Sequence, residues 1–408
     1  MHPEFIVSLD LGTTKVAAVV GEFGEGGMKI TGAAVLPSDG VKKGMVVDME
    51  AAAACVGLAL EKAGRMAEVD IQGVCAGFSG PGVRSINSRG VISLPDGRRE
   101  VTAADVRKVV DSAGNVVLPS DMEIVDTAVL DFTVDKSRGI KDPVGMAGSR
   151  LGVEVHLVTA QAAGVENFVR MLEKVGVDAL NLVFQPLACA HSVLTREEME
   201  SGCLLIDIGG GITDFALFHG GCVRASGVIP VGGNNISKDL AIGLRIPESA
   251  AEEIKLRYGL ALESLAGEDE TVLLPGSQGN SGGEVRKKII AAIMEPRCEE
   301  IFSMIKASVS STDWYKSMGA GVVLTGGGSR LMGMKSVASQ VFGLPARKGM
   351  PEGLGGIPGV AVDESWSAAV GLLLFESDRF GRLARLKRPG RPLGWMFDRL
   401  RRIASLFL

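Results

Sequence analysis

Two short apolar runs, separated by a turn of small and polar residues, open the chain. The runs are Phe5-Ile-Val-Ser-Leu9 and Val16-Ala-Ala-Val-Val20, and the turn between them is Asp10-Leu-Gly-Thr-Thr-Lys15. Apolar runs of this length around a glycine-containing turn are typical of two strands joined as a β-hairpin. The pattern therefore predicts a hairpin whose first strand ends at an acidic residue.

The same pattern recurs in the second half of the chain. Leu204-Leu-Ile206 leads into Asp207-Ile-Gly-Gly-Gly-Ile-Thr-Asp214, and Phe215-Ala-Leu-Phe218 follows. Asp10 and Asp207 stand 197 residues apart at matching points of the two hairpins. Each copy alone could equally be a tight hairpin with an Asx-type turn, whereas two matched copies indicate a duplicated domain that closes on one ligand.

Both turns carry residue types that hold phosphate groups. Glycine lets backbone N–H groups approach phosphate oxygens, and hydroxyls add donors. Asp10 and Asp207 would face each other across a cleft and hold Mg²⁺, through waters because that ion gives up its hydration reluctantly. A G-x-x-x-x-G-K-[S/T] loop is absent, and a dinucleotide fingerprint would open a helix rather than a second strand. The candidate phosphate contacts are Gly12, Thr13, Thr14, Lys15, Gly209, Gly210, Gly211 and Thr213.

A third glycine-rich turn lies between a predicted strand at 321–325 and a predicted helix at 334–342. A glycine triplet at this point allows an adenosine or its phosphates to lie against bare backbone. An ordinary turn between strand and helix is the alternative. The candidate contacts are Gly326, Gly327, Gly328 and Ser329.

Composition narrows the class of protein. Hydrophobic residues make up 46% of the 408 residues, as in globular chains long enough for two or more domains. The six cysteines include no Cys-x-x-Cys pair and the four histidines lie far apart in sequence, so we expect a reducing cytosol and no structural zinc. Strand-like sequence begins at once and no apolar run reaches the ~20 residues of a spanning helix. We expect a cytosolic protein or one bound to the cytosolic side of a membrane.

Charge is unevenly distributed along the chain. From residue 379 onward there are nine basic residues and one acidic residue, so the remainder carries a formal charge of −13. An acidic body argues against general nucleic-acid binding. The basic tail therefore indicates an anionic partner of its own.

The tail contains an amphipathic segment. Residues 367–375 predict a closing helix, and the prolines, glycines and like charges of 379–394 predict a flexible linker. Plotted as a helix, 395–408 has an apolar stripe opposite arginines, which is typical of a helix lying in a membrane interface. Packing on the body and docking in a partner's groove are the alternatives. The predicted membrane contacts are Trp395, Met396, Phe397, Arg399, Leu400, Arg401, Arg402, Ile403 and Phe407.

The three glycine-rich motifs resemble those of the actin/Hsp70/sugar-kinase superfamily. Asp10-Leu-Gly-Thr-Thr, Asp207-Ile-Gly-Gly-Gly and Leu324-Thr-Gly-Gly-Gly-Ser329 look like its phosphate-1, phosphate-2 and adenosine motifs. The resemblance implies ATP and Mg²⁺ as ligands. Gln185-Pro-Leu-Ala188 is similar to the first connecting helix, in which Gln185 would orient the attacking water. Ala251-Glu-Glu-Ile-Lys255 is similar to the helix that presents Glu252 and Lys255 to the ribose.

Within that superfamily the sequence is most similar to the bacterial FtsA cell-division family, over essentially the whole chain. The matching stretches are 85–92, 139–148, 150–156 and 252–259. The resemblance implies an α/β, actin-like (ribonuclease-H-like duplicated) two-lobed fold with an FtsA-type inserted subdomain and a C-terminal amphipathic helix. It assigns 1–83, 161–192 and 361–378 to the first-lobe core, 84–160 to the insert, 193–228 and 306–360 to the second-lobe core, 229–305 to an outer subdomain, 379–394 to a basic linker and 395–408 to the membrane helix.

The function implied by the resemblance is that of an ATP-binding protein, at most a slow ATPase, which polymerises and tethers FtsZ filaments to the cytoplasmic face of the inner membrane at the division septum. Implied partners are FtsZ, further copies of the chain, divisome membrane proteins at the insert, and an anionic membrane surface. A pilus-assembly relative and a small-molecule kinase of the same superfamily are the alternatives. A kinase needs a general base beside an acceptor pocket, and no convincing candidate is present.

One residue departs from the superfamily pattern. Ile212 stands where a threonine usually follows the phosphate-2 glycines. An isoleucine cannot donate a hydrogen bond to phosphate, which favours nucleotide binding over rapid hydrolysis. Simple packing of the hairpin by a buried isoleucine is an equally weighted interpretation.

Overall fold

The structure is a computed structural model that describes residues 5–24, 27–94, 99–274, 283–357 and 363–386. The first lobe begins with strands β1 (Phe5–Leu11), β2 (Lys15–Gly24), β3 (Gly27–Pro37), β4 (Val41–Lys42) and β5 (Met45–Val46), helix α1 (Met49–Ala67) and strand β6 (Gly73–Phe78). An inserted unit follows, made of β7 (Arg84–Ser93), β8 (Arg99–Glu100), α2 (Ala103–Gly114), β9 (Met122–Val134), β10 (Ser137–Ile140), β11 (Ala147–Gly148) and β12 (Arg150–Gln161).

The chain then returns to the first lobe and crosses to the second. The return consists of α3 (Ala162–Val175), β13 (Asp178–Phe184), α4 (Gln185–Val193) and α5 (Arg196–Ser201). The second lobe contains β14 (Cys203–Ile208), β15 (Thr213–His219), β16 (Cys222–Ile229), α6 (Gly233–Leu244), α7 (Glu248–Tyr258), β17 (Thr271–Leu273), β18 (Glu284–Arg286), α8 (Lys287–Val309), β19 (Gly321–Thr325), α9 (Met334–Phe342) and β20 (Ala346–Lys348). Strand β21 (Gly355–Gly356) and helix α10 (Ser367–Leu386) close the described chain.

Two sheets with one shared topology form the cores of the lobes. The first has the strand order β13-β6-β1-β2-β3, with β21 added at its edge, and the second has the order β16-β15-β14-β19-β20. In each, the first strand in sequence pairs antiparallel with the second and parallel with the fourth. This repeated order confirms the predicted duplicated α/β fold.

Apolar residues explain why the two hairpins lie at the sheet centres. From Ile6 to Leu11 the residues of β1 are buried, and from Val16 to Gly21 those of β2 are as well. Strand β14 is buried except at Asp207, which is partly exposed. Strands that are apolar on both faces require cover on both sides, and helices α1 and α10 provide it in the first lobe. The two aspartates are therefore held by buried strands at the sheet centres.

The inserted unit, the residues predicted for 84–160, has its own sheet and core. Its main sheet has the order β10-β9-β12-β7, and α2 packs on it through Val106, Val109 and Ala113. A polar contact joins it to the second lobe, where His156 Nε2 lies 2.8 Å from Ser226 Oγ on β16. The other ring nitrogen, Nδ1, lies 2.6 Å from Asn87 Oδ1 within the insert. Burial lowers the pKa of His156 to about 4, so the ring is neutral and joins the two units without a charge.

The predicted outer subdomain of the second lobe, residues 229–305, contains mainly α6, α7 and most of α8, together with the short pair β17–β18. Buried residues of these helices form one core with the second sheet, including Leu240, Ile254 and Met294. These helices therefore share one hydrophobic core with the second sheet.

The C-terminal prediction needs one correction. Helix α10 continues to Leu386, so the first eight residues of the predicted linker 379–394 are helical. The sequence prediction ended the helix too early because clustered like charges suggested a tether. The remaining linker residues and the membrane helix 395–408 lie outside the described residues. Among the described helices, none combines the length and the hydrophobicity that crossing a membrane requires.

Candidate functional site

The turn of the first hairpin holds an acidic residue against a base. Asp10 is 4% exposed, and its Oδ2 lies 3.3 Å from Lys15 Nζ across the turn. The N–H of Gly12 donates to the carbonyl of Lys15 at 2.9 Å and closes the turn. Lys15 also donates to the carbonyl of Ser365, which precedes α10. The first carboxylate therefore has a cationic partner within its own hairpin.

The second hairpin contacts the first through its glycines. A Cβ atom on Gly210 would lie 2.4 Å from Thr14 Cγ2, and one on Gly211 would lie 2.6 Å from Thr13 Oγ1. Both distances are far below van der Waals contact, so any larger residue would push the hairpins apart. The structure thus brings Thr13, Thr14, Gly210 and Gly211 together.

Helix α4 touches both aspartates. Gln185, its first residue, donates from Nε2 to Asp10 Oδ1 at 2.6 Å. Cys189 lies one turn later on the same face, and its Sγ donates to Asp207 Oδ2 at 3.4 Å. A single helix therefore contacts the two carboxylates that the sequence predicts as metal ligands, one from each hairpin.

Among the described residues, the acidic side chains of the second hairpin have no ion-pair partner of their own. Burial and the nearby charge of Asp10 raise the pKa of Asp207 from its ordinary 3.8 to about 6. Burial and the charge of Asp207 raise the pKa of Asp214 well above its ordinary value, against a hydrogen bond from Ser79 that lowers it. Ser79 Oγ donates that bond to Asp214 Oδ1 from the first lobe. The cluster of three aspartates has Lys15 as its ion-pair partner among the described residues.

Two hydroxyls predicted to contact the nucleotide have other partners. Thr213 is fully buried, and its Oγ1 donates to the carbonyl of Val231 at 2.8 Å. Ser329 is also fully buried, and its Oγ donates to the carbonyl of Gly326 at 2.7 Å. Each hydroxyl therefore satisfies a backbone carbonyl in the ligand-free protein.

Ile212 packs between the lobes. It is 6% exposed, and its Cδ1 would lie 3.1 Å from a Cβ atom on Gly44, in the loop between β4 and β5. That loop is itself tied to the first turn, since the N–H of Gly44 donates to Thr13 Oγ1 at 3.2 Å. The Ile212 side chain thus has a packing role between the two lobes. It still cannot donate a hydrogen bond to a phosphate.

The predicted ribose pair, Glu252 and Lys255, is fixed against the second hairpin. Lys255 Nζ lies 2.7 Å from Glu252 Oε2 and donates to the carbonyl of Gly233 at 3.0 Å. The N–H of Gly233 in turn donates to the carbonyl of Gly209 at 2.9 Å. Helix α7 therefore reaches the second turn through α6, and both side chains are partly exposed at that junction.

The third turn passes directly over Asp207. Gly326 has φ +80°, and a Cβ atom there would lie 2.1 Å from Asp207 Oδ1. Its neighbour Gly327 is exposed, and a Cβ atom there would meet nothing within 4 Å. Gly328 is closed by Ile208, whose Cγ2 would lie 2.4 Å from its Cβ. The first and third glycines are thus required by packing, and the second presents bare backbone to the surface.

Sequence reasoning did not single out Cys189, Ser79 or Asp214. The helical spacing of Cys189 from Gln185 was a usable signal, because residues four apart share a face. Asp214 is visible in the motif, but its partner Ser79 lies 135 positions away. No local pattern could have paired them.

The sequence matches two family models and several known proteins. The family model described as "Cell division protein FtsA" matches residues 204–371, and the model described as "SHS2 domain inserted in FTSA" matches residues 80–159. The cell division protein FtsA of Pseudomonas aeruginosa is 37% identical over 373 residues, 91% of this chain and 89% of that protein. The FtsA of Escherichia coli K12 is 35% identical over 407 residues, 97% and 96% of the two chains.

Solved structures resemble the fold at lower identity. The PilM-PilN type IV pilus biogenesis complex gives a TM-score of 0.66 at 18% identity, covering 92% of this chain and 99% of that chain. MreB 5 of Spiroplasma citri bound to AMPPNP gives 0.59 at 15% identity, covering 95% and 100%. At such identities the likeness concerns the actin-like fold alone. The curated relatives combine twice that identity with nearly complete coverage.

Proposed function

The chain belongs to the FtsA family of cell division proteins, and from that premise we propose that it binds ATP with Mg²⁺ between its lobes, polymerises, and tethers FtsZ filaments to the cytoplasmic face of the cell membrane at the division septum. The observation that carries nucleotide binding is the contact of the two matching hairpins, with Thr13 and Thr14 against two glycines, Gly210 and Gly211. The aspartates of these hairpins are both bonded to helix α4. Sequence alone supports the membrane part.

The chemistry of the cleft fits a magnesium–phosphate group. Its candidate ligand atoms are carboxylate oxygens, which Mg²⁺ prefers, and within the described part of the chain Lys15 is ion-paired with Asp10 alone of the three aspartates. Among the described residues no three His, Cys, Asp or Glu side chains are arranged to hold a metal by themselves. That is consistent with Mg²⁺, which keeps waters and shares its shell with substrate phosphates. Asp10 and Asp207 would hold it, and the bound ion would neutralise phosphate charge.

The remaining residues of the cleft would bind and orient. The backbone of Gly209, Gly210 and Gly211 and the side chains of Thr13 and Thr14 would surround phosphates, and Gly327 would lie under the adenosine. Gln185 already donates to Asp10. Its Oε1 would remain as an acceptor that could orient an attacking water. A protein of the same fold, MreB5 of Spiroplasma citri, has been solved with ADP and with AMPPNP.

The tail would supply the membrane contact. Residues 395–408 place Trp395, Met396 and Phe407 with the apolar residues and Arg401 and Arg402 opposite them. Each arginine near an anionic surface contributes about 1 kcal/mol, so one helix binds weakly and a polymer binds tightly through effective concentration. FtsZ would dock on the outer subdomain, 229–305, and divisome membrane proteins on the insert, 84–160.

The test separates the two binding activities. Purified protein is titrated with Mg·ATP by calorimetry, and is sedimented with anionic liposomes with and without FtsZ. We expect nucleotide binding by the intact protein, and FtsZ in the liposome pellet only when the protein is present. Removal of 394–408 or Trp395→Glu should abolish pelleting and leave Mg·ATP affinity unchanged, whereas Ser405→Gln on the polar face should pellet normally. Persistent pelleting without 394–408 would disprove the tail assignment.

A further inference from the structure

A buried acid of the inserted unit reaches the start of helix α4. Asp126 lies on β9, is 5% exposed, and accepts the N–H of Phe184 through Oδ2 at 3.1 Å. Its Oδ1 accepts the N–H of Thr127 at 2.8 Å. In the described part of the chain it forms no ion pair. Both carboxylate oxygens are thus committed to backbone donors, one of them in a different structural unit.

The contact replaces a missing helix cap. Phe184 is the residue that precedes α4, and neither its side chain nor any other local side chain caps the helix. The first turn of a helix has unpaired N–H groups and a partial positive charge, which a carboxylate from elsewhere in the fold can satisfy. Asp126 supplies that carboxylate to the residue adjoining Gln185.

Helix α4 links this contact to the two aspartates of the cleft. Gln185 bonds Asp10 and Cys189 bonds Asp207, at 2.6 and 3.4 Å. Moving the first turn of α4 would displace both bonds at once. Helices transmit such movement well because their backbone is stiff over one or two turns.

We propose that Asp126 is a positioning residue of the nucleotide site, contributed by the inserted unit, which fixes the start of α4 and thereby holds Gln185 and Cys189 against the two cleft aspartates. This inference rests on the proposed nucleotide binding. It gives the insert a physical connection to the cleft, so a ligand that shifts β9 would shift the site.

A purely structural role for Asp126 is weaker as an explanation. Burial raises the pKa of Asp126 to about 6, which shows that the folded protein bears a cost for keeping it ionised at neutral pH. Its two N–H bonds offset that cost only in part. An apolar residue would fill the same volume without desolvating a charge, but would leave the Phe184 N–H unpaired.

The experiment compares three variants at pH 7.5. Asp126→Ala removes the acceptor, Asp126→Asn keeps an oxygen that can accept the Phe184 N–H, and Asp105→Ala is the matched control. Asp105 is also a buried acid of the insert, but it accepts the N–H of Thr102 within the insert. Calorimetry gives the Mg·ATP affinity, amide hydrogen exchange follows 184–189, and thermal unfolding reports the general loss of stability.

We expect Asp126→Ala to weaken Mg·ATP binding about tenfold, the ratio expected for one lost charge-assisted hydrogen bond, and to speed exchange at the start of α4. Asp126→Asn should recover binding to within about threefold of the wild type. Asp105→Ala should lower the unfolding temperature and leave both the affinity and the exchange of α4 unchanged.

Two results would overturn the inference alone. One is wild-type affinity and wild-type exchange in Asp126→Ala, and the other is an equal loss of affinity in Asp126→Ala and Asp105→Ala. A wild-type protein that binds no nucleotide would instead overturn the proposed function. In that case exchange at 184–189 still decides whether Asp126 holds the start of α4.

Discussion

The two hairpins have the same strand pairing but differ in how their carboxylates are compensated. In the first, Asp10 has the ammonium of Lys15 and the amide of Gln185 within bonding distance. In the second, Asp207 accepts from the thiol of Cys189, and Asp214 accepts from Ser79 of the other lobe. Duplication therefore preserved the backbone and left the charges unequal. The proposed Mg²⁺ would offset the charge of the second hairpin.

Shape differs between the hairpins as well as charge. The first turn ends in two threonines, and the second has three glycines that leave space for them. Each turn fits the other because one is bulky where the other is bare. If both turns carried threonines at these positions, their side chains would clash. The difference in side-chain size therefore allows the two turns to make contact.

The largest expected effects come from substituting the two cleft aspartates. Asp10→Asn and Asp207→Asn should each weaken Mg·ATP binding by more than about 100-fold, since losing even an outer-shell partner of a metal site costs 10–100-fold. The two substitutions should change the stability of the ligand-free protein in opposite directions. Asp207→Asn should raise stability at pH 8 by about 2 kcal/mol, because it removes a carboxylate whose pKa is raised to about 6. Asp10→Asn should lower it, because Lys15 loses its partner.

The sign of the pH dependence follows from the same pKa. With a folded value of about 6 against an ordinary 3.8, the folded state binds more protons than the unfolded state between those values. Stability contributed by Asp207 is therefore present at low pH and falls as pH rises through about 6. Calorimetric unfolding of both variants at pH 5 and pH 8 measures it, and equal stability changes for the two would contradict the comparison.

An intermediate effect should come from the bond that joins the lobes. Ser79→Ala removes the donor to Asp214, and the loss should be about 2 kcal/mol when that carboxylate is ionised. Because the bond stabilises the charged form, the destabilisation should grow as pH rises. Ser8→Ala is the control, since Ser8 is buried but donates to the carbonyl of Val19 within the first lobe. Denaturant unfolding across pH checks this, and a pH-independent loss in Ser79→Ala would count against the bond.

The smallest effect should come from Ile212. Ile212→Thr restores the hydroxyl usual in the superfamily but removes packing against Gly44, so stability should fall by about 1 kcal/mol. Mg·ATP affinity should change less than about threefold if packing is the role of this residue. Ile212→Val, which keeps most of the packing and adds no donor, is the control. A gain in affinity of tenfold in the threonine variant alone would show instead that the missing hydroxyl limits the site.

Much of the local structure was predictable from the sequence. The strand at 321–325 and the helix at 334–342 occur with those bounds. The hairpins begin and end within a few residues of their apolar runs, because burial of those runs and the conformational freedom of glycine act over short distances. The length of helix α10 was underestimated, because the charges of residues 379–386 favoured a linker over a helix.

The sequence by itself determined the strands, the turns and the two acids, because hydrophobic periodicity and turn chemistry depend on near neighbours. Only the tertiary structure decided which group each acid meets. Thr213 and Ser329 donate to backbone carbonyls, while Ser79 and Asp126 bond partners in other units. A buried polar atom takes whichever donor or acceptor the packed fold brings within about 3 Å. That choice depends on residues too far apart in sequence for any local pattern to record.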